Sequence, residues 1–203
     1  MQKPTVSIIG LGALGSSLTL SLHHAGYRVE GIFSRSKAVP GYLPEKLKRK
    51  LYRLDEISVI PSDLIFICVK DDQIPEVVKR LSAMVLTKQP VCIHCSGALP
   101  SSVLSELDAF GERASFHPNK SFSGNPSAQA FSRVYVDIES TSDAAYLLLA
   151  ELAENLGAKP FRLKAGEKIK LHTAASMISN LTVALSDAAL SLSTDELSRQ
   201  ALL

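Results

Sequence analysis

The sequence has almost no charge imbalance: 22 Lys and Arg face 20 Asp and Glu, a net charge of +2. Bulk electrostatics therefore gives no case for nucleic acid or an anionic membrane as partner. No uninterrupted apolar run is long enough to span a bilayer. The apolar stretch 6–22 follows Lys3, but it is broken by glycines and serines and runs directly into a second strand pattern, unlike a secretory signal. These absences predict a cytoplasmic protein. Cysteine is scarce as well. Cys68, Cys92 and Cys95 are an odd set, expected as reduced thiols. Cys92 and Cys95 have C-x-x-C spacing, but they fall in a predicted buried strand, and no second ligand pair exists to complete a metal site. No metal is predicted. Internal repeats and low-complexity tracts are missing too.

The last absence is a local one. Past the second predicted strand, 28–33, the sequence reads Ser34-Arg35-Ser36-Lys37, with no Asp or Glu. It matters because of what precedes it. Gly10-Leu11-Gly12-Ala13-Leu14-Gly15 follows an apolar run and opens a helix pattern, the context in which G-x-G-x-x-G marks a dinucleotide site. Gly10 suits the sharp turn, Gly12 the close approach of a pyrophosphate, and Gly15 tight packing of helix on strand. The helix start at Ala13 offers free N–H groups to phosphate. NAD sites usually carry an acid about 20 residues on, against the ribose. Glu30 lies too early for that role. Arg offers a planar donor fork to a 2′-phosphate. The reading is therefore NADP rather than NAD, with Ser34, Arg35 and a contribution from Lys37 on that phosphate.

Short apolar runs alternate with helical patterns further on. Residues 63–69 and 91–95 read as buried parallel strands, 113–116 as a short strand, 134–138 as an alternating strand near a sheet edge, and 159–163 as the last. Helices are expected over 74–86, 101–110 and 142–156, the last ending at Gly157. The basic cluster 46–53 reads as one exposed face of a short helix. The fold class is α/β, a doubly wound sheet over residues 1–163. Ligands sit beyond the carboxyl ends of such strands. Besides the glycine turn and residues 34–37, that singles out Val69 to Asp72, Ser96, Gly97, His117 and Pro118. From residue 165 to 192 a single long helix is predicted. Its 100° steps put His172, Ser176, Ser179, Asn180 and Asp187 on one polar stripe. Residues 164–203 are expected to begin a helical domain most of which is absent.

Three segments, SIIGLGALGSSL, HCSGALPSSVL with FHPNKSF, and LHTAASMISNLTVAL, together resemble a family of Rossmann-like oxidoreductases with a C-terminal helical domain of unknown function. That family is similar to the 6-phosphogluconate and β-hydroxyacid dehydrogenases and, more distantly, to pyrroline-5-carboxylate and ketopantoate reductases. The resemblance implies NAD(P)-dependent hydride transfer at the junction of two domains, and a homodimer built by the helical domains. It departs from β-hydroxyacid dehydrogenases at Lys-x-x-x-Asn. With Asn180 as the asparagine, Ser176 stands where the lysine should be, and His172 is the substitute proton-transfer candidate.

The expectation is thus an NADP-dependent oxidoreductase for a small carbonyl, imine or hydroxy compound. Ser96, His117, His172 and Asn180 are the candidate catalytic residues. Gly10 to Gly15, Ser34, Arg35, Val69, Lys70, Ser96 and Gly97 form the cofactor site. The alternatives are hydride exchange between NADP and a deazaflavin, or a non-catalytic NADP-sensing module.

Overall fold

The computed structural model describes residues 3–36, 38–122, 125–164 and 166–202. Ten strands are present among them: β1 Thr5–Ile9, β2 Arg28–Phe33, β3 Leu51–Tyr52, β4 Val59–Ile60, β5 Leu64–Ile67, β6 Val85–Leu86, β7 Val91–His94, β8 Glu112–Pro118, β9 Tyr135–Ser140 and β10 Lys159–Arg162. The helices are α1 Ala13–His24, α2 Glu45–Lys48, α3 Ile74–Ser82, α4 Asp143–Asn155, α5 Lys168–Ser176, α6 Thr182–Ser191 and α7 Glu196–Gln200. Eight strands make one sheet in the order β10-β9-β8-β7-β5-β1-β2-β3, and β4 pairs with β6. Neighbours run parallel except β8 and β9, which are antiparallel.

Side chains alternate across a strand, so each strand feeds both faces of the sheet. On one face Val6, Ile8, Phe66, Ile93, Phe116 and Val136 pack under Leu18 and Leu22 of α1 and Leu149 and Leu152 of α4. On the other, Ile9, Ile65, Ile67 and Cys92 pack under Ile74, Val78 and Leu81 of α3 and Leu104 of a 3₁₀ segment, Ser101–Leu107. With helices on both faces, the central strands are apolar throughout.

The second face changes character towards β9. After Ile67 and Cys92 come His94 on β7, Ser115 and His117 on β8, and Asp137 and Glu139 on β9. Except for His117, which is half-buried, these side chains are buried. Here the sheet carries a buried polar layer.

Several expected elements are corrected. The helix expected to Leu86 stops at Ser82, because Val85 and Leu86 pair with Val59 and Ile60. Residues 101–107 are 3₁₀-helical rather than α-helical. The basic cluster is not one helix face. α2 covers four residues, Lys50 reaches Glu30 at 3.3 Å, and Arg53 follows edge strand β3. The long helix begins at Lys168 among described residues, and its α-helical bonding is broken by a π turn, Met177–Leu181. No described helix is long and apolar enough to cross a membrane.

Candidate functional site

The glycine turn lies between β1 and α1, against the ends of β2 and β5. Gly10 has φ +101°, and its N–H donates to Phe33 O at 2.8 Å. A Cβ there would lie 2.5 Å from Cys68 O. At Gly15 a Cβ would overlap the carbonyl oxygen of Gly10 and come within 3.1 Å of Cys68 Cβ. Gly12 is different: a Cβ there would meet nothing within 4 Å. Two positions are therefore closed by the protein itself, and the third opens onto the cleft.

That cleft has a volume of about 650 Å³. Gly10, Leu11, Gly12, Ser34, Arg35, Val69 and Lys70 line it, joined by Arg53, Asp55 and Arg80. An adjoining hollow of about 290 Å³ continues past Gly12, Ala13 and Leu14 to Ser96, sharing Cys68, Val69 and Lys70. One groove thus runs from Arg35 over the glycine turn to the end of β7. Arg35 is exposed and makes no hydrogen bond or ion pair with another described residue. Lys37 lies outside the described residues. Arg53 Nε donates to Asp55 Oδ1 at 2.8 Å, and this bond holds the Asp55 carboxyl at about 2, below its usual value. Arg80 Nε donates to Leu54 O at 3.1 Å. Glu30 is engaged elsewhere, by Arg28 and Lys50.

The loop after β7 is folded around His94. Its Nδ1 accepts from Ser96 N–H at 3.2 Å, so its proton sits on Nε2, which donates to Pro100 O at 3.2 Å. Burial, reinforced by the charge of Lys168, pushes its pKa down to about 4. Ser96 Oγ donates to Asp71 Oδ2 at 2.8 Å and accepts from Ala98 and Leu99 N–H. Its hydroxyl proton is therefore committed to Asp71. Gly97 has no room for a side chain. A Cβ there would lie 2.7 Å from His117 Nε2 and would overlap His172 Nδ1. The two imidazoles meet edge to face over it, with centroids 5.6 Å apart.

Behind His117 stands Asp137, directly opposite it in the β8–β9 register. Burial alone would raise the Asp137 carboxyl pKa. The hydrogen bond from His117 and the charge of Lys168 outweigh burial and hold it below the ordinary value. An ionised carboxylate only accepts, so His117 Nδ1 donates to Asp137 Oδ2, at 2.8 Å, and Nε2 is left to face Gly97. Asn119 Nδ2 donates to the same oxygen at 2.8 Å. Lys168 Nζ donates to Asp137 Oδ1 at 3.0 Å and to Ser115 Oγ at 2.9 Å.

The structure thus gathers Ser96, Gly97, His117 and His172 at one end of the groove. Asn180 is not brought there. It is exposed on the π turn, and its side chain accepts from Ser179 Oγ at 3.5 Å. The i→i+5 bonding of that turn resets the angular count that aligned positions 172 and 180. Asp137, Asn119 and Lys168 were missed, and Asp71 stood among the strand-end residues with no role assigned. Alternation in RASFHP and YVDIES carries a signal for the first, but alternating polar residues ordinarily read as a wet face. Cys95 approaches Cys68 at 3.7 Å across the sheet rather than Cys92. No cluster of three metal-ligating side chains occurs among the described residues.

The comparisons agree with this architecture. A family model described as a Rossmann-like domain matches residues 1–116, and one described as a domain of unknown function, DUF2520, matches 134–202. No curated protein matches the sequence. Among solved structures, a Bacteroides fragilis protein described as an NADP oxidoreductase is similar at 21% identity and TM-score 0.72, over 94% of this chain and 72% of its own. A Thermotoga maritima protein is similar at 25% and 0.69, over 94% and 71%. Prephenate dehydrogenase from A. aeolicus, in complex with hydroxyphenyl propionate and NAD+, is similar at 14% and 0.71, over 94% and 69%.

Proposed function

The chain belongs to the Rossmann-like domain family, and from that premise we propose that it is an NADP(H)-dependent oxidoreductase acting on a small carbonyl or hydroxy compound. One observation carries the reading. The groove runs from Arg35 to Ser96, and of the turn's three motif glycines only Gly12 has open space at its Cβ position. A Cβ at Gly12 would occupy the space that a pyrophosphate needs. Similar structures described as an NADP oxidoreductase and as dehydrogenases support the same class of chemistry.

Gly10 to Gly15 and the α1 N-terminus would hold the pyrophosphate. Ser34 and Arg35 would hold the 2′-phosphate, with Arg53 and Arg80 adding positive charge to that end. Asp55 is the carboxylate best placed to argue for NAD, but it is already paired with Arg53. A bound nicotinamide supplies or accepts the hydride. His117 Nε2 is the group that takes a proton from a substrate hydroxyl or returns one to a carbonyl oxygen. Asp137 fixes its tautomer and stabilises the imidazolium. The absence of a side chain at Gly97 lets both imidazoles lie against the loop after β7, where His172 would orient a substrate beside His117. Ser96 shapes the loop through Asp71 and contributes backbone to the cofactor's edge.

The helices beyond the sheet need cover: Ile178 and Leu185 are 73% and 72% exposed. A second copy of the chain is the proposed cover. Calorimetric titration with NADPH and NADH tests the cofactor reading. Tight NADPH binding with weaker NADH binding is expected. Equal affinities reject the 2′-phosphate site, and failure to bind either rejects the oxidoreductase.

A further inference from the structure

Lys168 is 3% exposed, yet it opens a helix whose later turns are mostly exposed. Its ammonium bonds Asp137 Oδ1 and Ser115 Oγ. The other Asp137 oxygen takes His117 Nδ1 and Asn119 Nδ2. One carboxylate therefore ties together β8, its own strand β9, and α5. His172 follows Lys168 by four residues, which puts it one turn along the same side of α5. The contact that seats the first turn of α5 also sets where His172 meets His117.

We infer that Lys168 is a positioning residue: by sharing Asp137 with His117 it fixes both imidazoles over Gly97 and limits how firmly the carboxylate holds a proton on His117. An apolar residue could anchor the helix without the desolvation cost of a buried ammonium. Only a cation divides the carboxylate's charge. The titratable groups around His117 are His94 from β7, Asp137 and Glu139 from β9, Lys168 and His172 from α5, and Asp71 held by Ser96. His94 is neutral in its hydrogen-bonded tautomer. Glu139 Oε1 is turned to Ser101, accepting from its N–H and hydroxyl. Of these charges, Asp137 is the one bonded to His117, and Lys168 is the one bonded to Asp137.

The inference rests on the oxidoreductase reading, so its test has a readout independent of turnover. The full chain is used, with NADPH as the probe. Imidazole titrations of His117 and His172 are followed by ¹⁵N NMR in wild type, Lys168→Met and Lys168→Arg. Lys168→Met removes a like charge and leaves the whole carboxylate to His117. Its titration midpoint should rise by about one pH unit or more. Lys168→Arg keeps the charge and should restore most of the wild-type behaviour. A folded Lys168→Met protein in which His117 titrates as in wild type overturns the inference. If that variant does not fold, the wild-type spectrum decides. Protonated Nδ1 on neutral His117 and a slowly exchanging Lys168 ammonium are expected. An Nε2–H tautomer, or a Lys168 exchanging like a surface lysine, overturns it. Wild-type NADPH affinity is measured alongside. Its absence sinks the oxidoreductase reading while the imidazole result still judges the Lys168 pairing.

Discussion

Gly15→Ala and Gly12→Val should separate two roles within one turn. A Cβ at residue 15 overlaps the Gly10 carbonyl oxygen and presses on Cys68 Cβ at 3.1 Å. Gly10 cannot easily yield. Its N–H is bonded to Phe33 O, its φ is +101°, and Cys68 O closes its own Cβ position. Overpacking of this kind costs about 1–3 kcal/mol. For a chain of this length that lowers Tm by roughly 3–10 °C. Gly12→Val meets no protein atom within 4 Å at its Cβ. Its folding cost is confined to a poorer helix N-cap, on the order of 1 kcal/mol. Its side chain projects into the proposed pyrophosphate space, and a loss of NADPH affinity of about a hundredfold, or ~2.7 kcal/mol, is expected. Thermal melts and fluorescence titration of both variants are the assay. Wild-type NADPH affinity in a folded Gly12→Val protein would show that the phosphates lie elsewhere. A Gly15→Ala protein melting with wild type would refute the packing argument.

Other consequences follow from the same geometry. Arg35→Ala should cut the NADPH-over-NADH preference by roughly tenfold to a hundredfold, because a charge-assisted bond to a 2′-phosphate is worth about 1.5–3 kcal/mol; calorimetry with both cofactors checks it. Burial lowers the His94 pKa to about 4, from 6.5 for a free imidazole. The unfolded chain therefore binds the extra proton first, so this stability is full above pH 6.5 and is lost as pH falls towards 4. The loss is about 3 kcal/mol, and a His94→Gln variant should show a flatter denaturation midpoint across that window. Asp137→Asn leaves the Lys168 ammonium buried without its counter-ion and should destabilise by about 3–5 kcal/mol. Adding Lys168→Met to it should recover part of that loss in the same chemical denaturation experiment. On the proposal that a second copy covers α6, Leu185→Asp should lower the mass seen by light scattering; an unchanged mass removes α6 from that proposed contact.

The parts of the fold legible in the sequence were those whose causes are local. The glycine spacing marks a strand-turn-helix unit within a few residues, and the apolar runs of β5 and β7 declare a covered sheet. The polar layer was not legible in the same way. Ser115, His117, Asp137 and Glu139 alternate with Ala114, Phe116, Val136 and Ile138, a pattern that serves equally for a solvated face. What buries most of it includes Lys168, which meets Asp137 from 31 residues away. Helical angles along 165–192 carry no sign of the carboxylate that gives that lysine its partner. The π turn at Met177–Leu181 was equally hidden, and with it the separation of Asn180 from His172. Arg53 entered the groove because Leu51 and Tyr52 pair with β2, a two-residue strand too short for periodicity to reveal.

The change of strand direction between β8 and β9 explains why the proposed acid–base pair can form at all. In a parallel pair, a residue at a strand's carboxyl end faces the same end of its neighbour. Here β9 returns antiparallel, so Asp137, near its start, stands opposite His117, near the end of β8. The counter-ion is carried by the sheet itself, on the strand next to His117. Register then becomes a functional quantity. A slip of one residue would put Val136 or Ile138 where Asp137 stands and turn the carboxylate to the apolar face under α4. Phe116, Val136 and Ile138 resist that slip, because all three are fully buried in the α1–α4 core. The apolar face of β8 and β9 holds the strand register, and that register keeps His117, Asp137 and Lys168 in line at the groove's end.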